Sequence, residues 1–187
     1  MKYLIVGLGN PGEEYSRTRH NIGFRMADAL AAACDAPFTA QRYASVATLR
    51  VRSQEAVVIK PSTFMNLSGK AVRYWMQQEN IPLERLLVLV DDIALPLGTL
   101  RMRPKGGAGG HNGLKDIEAV LGTADYARLR FGVGNGFARG GQVDYVLGEW
   151  SEEEEETVAG KLPTAVAMIR EFMLAGPARA MSSYNGK

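Results

Sequence analysis

Residues 86–92 read LLVLVDD, five apolar side chains closed by two carboxylates. A run this short and this continuously apolar predicts a central strand covered on both faces, the pattern of a parallel sheet between helical layers. Residues 2–12, KYLIVGLGNPG, repeat the theme: a buried strand over 3–8 that ends in a glycine-rich turn. Outward from these two, strands are expected over 43–51, 56–59, 100–103 and 128–133. Between them the 3.6-residue spacing of apolar positions predicts helices from Asn21 to Cys34, over 66–80 and over 111–121. Asn21 is read as the cap of the first helix. After Ser151 the chain is helical again, with Pro163 expected to kink or divide it. Strands alternating with helices give an α/β fold, a three-layer α/β/α sandwich around a mixed, mostly parallel sheet. With 187 residues and no repeat or linker-like stretch, residues 1–187 are expected to form a single domain.

Composition narrows the chemistry. Cys34 is the only cysteine, so a disulfide framework or thiolate zinc cluster within one chain is excluded. His20 and His111 are the only histidines, which argues against a multi-histidine metal site, and no cofactor is expected. No apolar run is long enough to cross a bilayer, and Met1 leads straight into a strand-like segment; a soluble, cytoplasmic protein is expected. The net charge of +2 is unevenly spread. Residues 151–187 carry six acids and four bases, whereas residues 36–75 carry six bases and the single acid Glu55. Arginines number 15 against 7 lysines. A basic surface rich in guanidinium groups suits a polyanionic partner.

Four segments carry the candidate chemistry. Gly7-x-Gly9-x-x-Gly12 matches the dinucleotide fingerprint formally, but Pro11 removes a backbone N–H and Glu13-Glu14 place two carboxylates where a pyrophosphate would sit. The same turn presents Asn10 at the carboxyl end of a strand, where α/β folds place their sites. His20 stands at a helix start, as a capping or surface residue or as a base; Asp91, at the end of the central strand, is the carboxylate that would orient it. The stretch 106–113, GGAGGHNG, holds five glycines and leads into a helix, open to close backbone approach or to an anion at its N–H groups. Asn66, in FMNLSG, is either a helix cap or an amide aimed into the cleft. Met65 and the other methionines read first as gap-filling core. No G-x-S-x-G elbow or Walker A loop occurs.

Taken in order, IVGLGNPG, TRHNIGF, FMNLSGKAV, DDIALPLG, GGAGGHNGLKDI and RLRFGVG closely resemble the bacterial peptidyl-tRNA hydrolase family, from about residue 2 to residue 150. The resemblance implies hydrolysis, without a metal, of the ester joining peptide to tRNA, by a monomer that needs no membrane. It implies His20 as catalytic base and Asp91 as its orienting carboxylate. It implies substrate contacts from Asn10, Tyr15, Met65, Asn66 and Asn112, and tRNA contacts from Arg101, Arg103, Lys105 and Arg130. Ala94 stands where many members carry an acid, and arginines stand at 101 and 103 where lysines are usual. The alternative is a catalytically silent RNA-binding relative, since the family includes plant organelle splicing factors.

Overall fold

The computed structural model describes residues 1–185. Its frame is one seven-stranded sheet with strands β1 (Lys2–Gly7), β2 (Thr39–Gln41), β3 (Ala44–Val51), β4 (Gln54–Pro61), β5 (Leu86–Asp92), β6 (Leu100–Arg103) and β7 (Ala127–Gly132) in the order β2-β3-β4-β1-β5-β7-β6. The four inner strands β4, β1, β5 and β7 run parallel, and both edges turn back antiparallel. The sheet is therefore mixed, with its parallel part at the centre, where the sequence places β1 and β5.

Helices cover both faces. On one lie α1 (Ile22–Ala33), α5 (Glu152–Ala175) and α6 (Pro177–Tyr184); on the other lie α2 (Ser68–Gln78) and α3 (Asn112–Leu121). The short α4 (Gln142–Val146) sits at the carboxyl edge. Alternate residues of the central strands feed opposite cores. Leu87 and Leu89 of β5 pack with Ile5 toward α1 and α5, while Leu86, Val88 and Val90 pack with Leu4 and Val6 toward α2 and α3. This explains the unbroken apolar run: both faces of the strand are interior.

The close approach of α1 to the sheet depends on two glycines. A Cβ on Gly7 would strike the carbonyl of Gly23, and one on Gly23 would strike the backbone of Leu8 and Leu89. This contact lets the α1 start reach over the ends of β1 and β5.

Two features differ from the sequence reading. β2 and α4 are elements that the sequence pattern does not announce. Pro163 does not divide α5, which runs through it from Glu152 to Ala175. The carbonyl deprived of its partner belongs to Ala159, and Ala159, Gly160 and Pro163 are all exposed, so water can take up the freed acceptor. Just after α6, the Asn185 side chain pairs with both the N–H (2.8 Å) and the carbonyl (3.0 Å) of Met102, closing the free edge of β6.

Candidate active site

The parallel strands end at a common edge, and a cleft of about 420 Å³ opens there. It is lined by Asn10 after β1, Phe64 to Asn66 after β4, Asp91 at the end of β5, Asn112 and the glycine loop before α3, and Val143 and Leu147 around α4. His20 reaches the same cleft from a 3-10 turn, Arg19–Asn21, that precedes α1.

At its floor Asp91 is flanked by both histidines. Nδ1 of His20 lies 2.8 Å from Oδ2, and Nε2 of His111 lies 2.8 Å from Oδ1. The Asp91 side chain is only 3% exposed. Burial alone would push its carboxyl group upward, but the two imidazoles overcome that and hold it well below the usual carboxylate range. The ring protons follow from the partners. His111 Nδ1 caps α3, accepting from the N–H groups of Gly113 (3.1 Å) and Leu114 (3.3 Å), so its proton must be on Nε2, donated to Asp91. With one carboxylate oxygen committed to each ring, His20 donates from Nδ1 and keeps the Nε2 lone pair for the cleft. Sequence reasoning gives His111 no role. Its place as the only other histidine, at a helix start, is the available signal.

The group His20, Asp91 and His111 is also the one cluster among the described residues with metal-ligand character, its donor atoms within 4.8 Å of one another. The atoms of this group that face one another are already engaged by hydrogen bonds, His111 Nε2 through its proton, and His20 Nε2 is the nitrogen left to the cleft.

Asn10 is fixed as firmly. Its Oδ1 accepts the Met65 N–H at 2.7 Å, which sets the amide orientation and leaves Nδ2 as a donor at the cleft. Its backbone is clamped by Asn21, whose Oδ1 accepts the Asn10 N–H (2.8 Å) and whose Nδ2 donates to the Asn10 carbonyl (2.9 Å). Contrary to the sequence expectation, Asn21 therefore does not cap α1 with its side chain; it is 1% exposed and holds Asn10 instead. Met65 is 4% exposed, so its side chain is core and its backbone N–H does the positioning. Asn66 and Asn112 are exposed on the cleft wall and make no side-chain hydrogen bond among the described residues.

The 3-10 turn carrying His20 is braced by α4 and the segment after it. The Arg19 guanidinium lies over the rings of Tyr145 (4.2 Å) and Trp150 (5.3 Å) and bonds the Tyr145 carbonyl and Glu154. The backbone adds Arg19 N–H to the Gly148 carbonyl (3.0 Å), and Thr18 bridges Glu149. Phe64, Val143 and Leu147 are 53%, 62% and 37% exposed, large apolar side chains on the rim of the cleft.

The remaining candidates lie around this centre. Tyr15 is outside the cleft lining and packs edge-on against Phe64 at 6.4 Å. Arg130 lines the cleft, paired with Asp92 at 2.6 Å, with its Nε and Nη2 buried and unpartnered. Arg101, Arg103 and Lys105 lie on or just beyond β6, outside the cleft. Arg101 and Arg103 alternate with the buried Leu100 and Met102 and so share the α2/α3 face of the sheet. Ala94 is exposed at the cleft. In the glycine loop Gly106, Gly109 and Gly110 have positive φ and a Cβ on any of them would meet nothing within 4 Å, so within the chain these glycines serve backbone conformation. The first N–H groups of α3, an expected anion site, are occupied by His111. The buried Arg128 supports the loop from below, donating to the carbonyls of Gly107 and Ala124. It stacks on Tyr126, whose hydroxyl is pushed up to about 12 by burial.

An imidazole held by a buried carboxylate, beside fixed amide donors at the carboxyl edge of an α/β sheet, defines a site of hydrolytic type. The chain belongs to the peptidyl-tRNA hydrolase family: the family model described as "Peptidyl-tRNA hydrolase" matches residues 4–187. It is 59% identical over 187 residues, all of both chains, to the peptidyl-tRNA hydrolase of Phocaeicola vulgatus. It is 59% identical over 185 residues to that of Porphyromonas gingivalis, covering 99% of this chain and 100% of the relative. The crystal structure of peptidyl-tRNA hydrolase from Acinetobacter baumannii superposes with a TM-score of 0.93 at 30% identity, covering 98% of this chain and 94% of that one. No helix among the described residues is long and apolar enough to cross a membrane.

Proposed function

We propose that this protein hydrolyses the ester bond between the peptide and the tRNA in peptidyl-tRNA, releasing a free peptide and reusable tRNA in the cytoplasm. The observation that carries this reading is the 2.8 Å bond between His20 Nδ1 and Asp91 at the floor of the cleft, which turns the Nε2 lone pair toward substrate. Nε2 takes a proton from water as its oxygen attacks the ester carbonyl carbon. The carbonyl oxygen becomes an oxyanion and receives N–H donors from the Asn10 Nδ2, with Asn112 across the cleft. Collapse of the tetrahedral intermediate breaks the bond to the ribose oxygen, which recovers the proton from His20. Asp91 stays ionised throughout, stabilising the imidazolium that forms between the two steps.

The uncharged amides of Asn66 and Asn112 suit a peptide bond on the substrate's α-nitrogen. A free α-ammonium would leave them badly paired, a loss of about 1–3 kcal/mol per group, which favours N-blocked esters. Phe64, Val143 and Leu147 offer apolar surface to the peptide side chains. Tyr15 and the cations Arg101, Arg103, Lys105 and Arg130 act on the tRNA, contacting phosphates without reading bases, so many tRNAs are accepted by a single monomer.

The direct test is release of an N-acetylated amino acid from its tRNA by the purified protein with EDTA present. Turnover is expected. A protein that binds the tRNA and leaves the ester intact would be the silent RNA-binding relative instead.

A further inference from the structure

One basic cluster stands apart from the cleft. At the carboxyl end of β4, next to the start of β3, Tyr43 packs edge-on against Tyr74 at 5.4 Å, and Tyr74 against Trp75 at 5.2 Å. Two cations stand on these rings and a third lies close by on α2. The Arg42 guanidinium lies 5.1 Å from the Tyr43 ring and 5.5 Å from Tyr74, and Lys70 Nζ lies 5.1 Å from Tyr43. Arg73 projects from the same side of α2 as Lys70, three residues on.

The platform is rigid. Trp75 Nε1 donates to the Arg42 carbonyl at 2.8 Å, and Ser62 N–H donates to the Tyr43 carbonyl at 2.8 Å. Tyr43 is held at φ +62, a left-handed conformation that a bulky aromatic side chain adopts only under constraint from its surroundings. Its ring therefore faces Arg42 and Lys70 from a fixed position.

The cations themselves lack acids. Lys2, Arg19, Arg25, Arg50, Lys60, Arg130 and Arg179 each have a carboxylate within 4.0 Å, and among the described residues Arg42, Lys70 and Arg73 have none, although all three are exposed. Positive side chains ordered on aromatic faces but left without an anion present a ready surface for one, because part of the entropy of ordering them is already lost.

Position identifies the anion's source. Ala44 and Val46 of β3 belong to the core under α2 and α3, the face that also carries Arg101 and Arg103. Five strand spacings separate β3 from β6, so the two basic groups flank the cleft at about 24 Å from one another. We propose that Arg42 and Lys70, ordered by Tyr43 and Tyr74, form with the neighbouring Arg73 a second phosphate-contacting surface for tRNA, on the opposite side of the cleft from Arg101 and Arg103. The surface rests on tRNA being the polyanion the protein binds. It grips the sugar–phosphate chain and plays no part in the chemistry.

The test uses the triple variant R42A/K70A/R73A, which keeps Tyr43, Tyr74 and Trp75. Affinity for fluorescein-labelled deacylated tRNA is measured from 50 to 300 mM salt. Hydrolysis is followed in parallel on N-acetyl-aminoacyl-tRNA and on the same ester carried by the 3′-terminal trinucleotide alone. The proposal expects tRNA affinity to fall at least about tenfold. The log–log salt slope should shrink by about 2, at roughly 0.7–0.9 for each phosphate no longer neutralised. KM for the full tRNA should rise with kcat unchanged, and the trinucleotide ester should be cleaved as by the unmodified protein. Unchanged tRNA affinity and slope would assign the cluster to some other acidic partner and overturn the proposal. Equal losses on both substrates would also overturn it, since the cluster would then act on the cleft. An unmodified protein that cleaves neither ester defeats the hydrolase reading alone, because the binding measurement still decides the surface.

Discussion

Replacing His111 separates two tasks that one imidazole performs. Nδ1 accepts the Gly113 and Leu114 N–H groups at the start of α3, and Nε2 donates to the buried Asp91 carboxylate at 2.8 Å. His111→Ala removes both. Removing the cap costs about 0.5–2 kcal/mol and removing the bond to a charged acceptor about 1.5–3 kcal/mol, for a total of about 2–5 kcal/mol. In a domain of this size each kcal/mol shifts the melting temperature by about 2–4 °C, so the variant should melt roughly 4–20 °C lower. His111→Asn restores the cap, since asparagine is among the best N-cap residues, but its shorter side chain leaves Asp91 Oδ1 unpaired. It should therefore recover about 1 kcal/mol of stability and none of the turnover. Turnover in both variants should fall by about tenfold or more, because a carboxylate freed on one side no longer fixes the His20 ring. Thermal unfolding and kcat on N-acetyl-aminoacyl-tRNA give the two readings. If His111→Asn turned over at the original rate, Asp91 would hold His20 without help and the double clamp would be refuted.

Other outcomes follow from the same geometry. Asn21→Ala strands the buried N–H and carbonyl of Asn10, which should cost about 2–5 kcal/mol of stability, and it loosens an amide donor, lowering kcat by up to about a hundredfold, with kcat and melting temperature as the readouts. Asp91 is held below the ordinary carboxylate range, so its contribution is full above its unfolded value of about 3.9 and is lost as pH falls below that. Unfolding by urea should accordingly show Asp91→Asn losing less stability than the unmodified protein between pH 4 and pH 2. Pro163→Ala restores a hydrogen bond to Ala159 in an exposed stretch of α5 and should raise stability by about 1–3 kcal/mol in the same assay.

The parallel centre of the sheet is legible in the sequence because its signal is local and redundant: the strands of LLVLVDD and KYLIVG are apolar on both faces and end in site residues. The elements that escape a sequence reading are those whose reason is tertiary. α4 lies in a glycine-containing stretch without helical periodicity and is held through Arg19, Tyr145 and Trp150, which no window of sequence brings together. Asn21 precedes a helix and so reads as a cap. Its true partner, Asn10, comes within reach only because Gly7 and Gly23 allow α1 to press against the sheet. His111 is hidden for a similar reason. Nothing near it in sequence says that α3 starts beside the end of β5. Asp91 and His20, by contrast, can be named in advance, since each stands at the end of an element whose type is clear. Pro163 shows the opposite limit, a strong local breaker tolerated where water can replace the missing bond.

The central claim is that His20 removes the proton from the attacking water. Single-turnover release of N-acetyl amino acid from tRNA by His20→Ala, with tRNA affinity measured on the same preparation, tests it most directly. The structure predicts a rate at least about a hundredfold lower with affinity unchanged. Release within a few-fold of the original rate would contradict it.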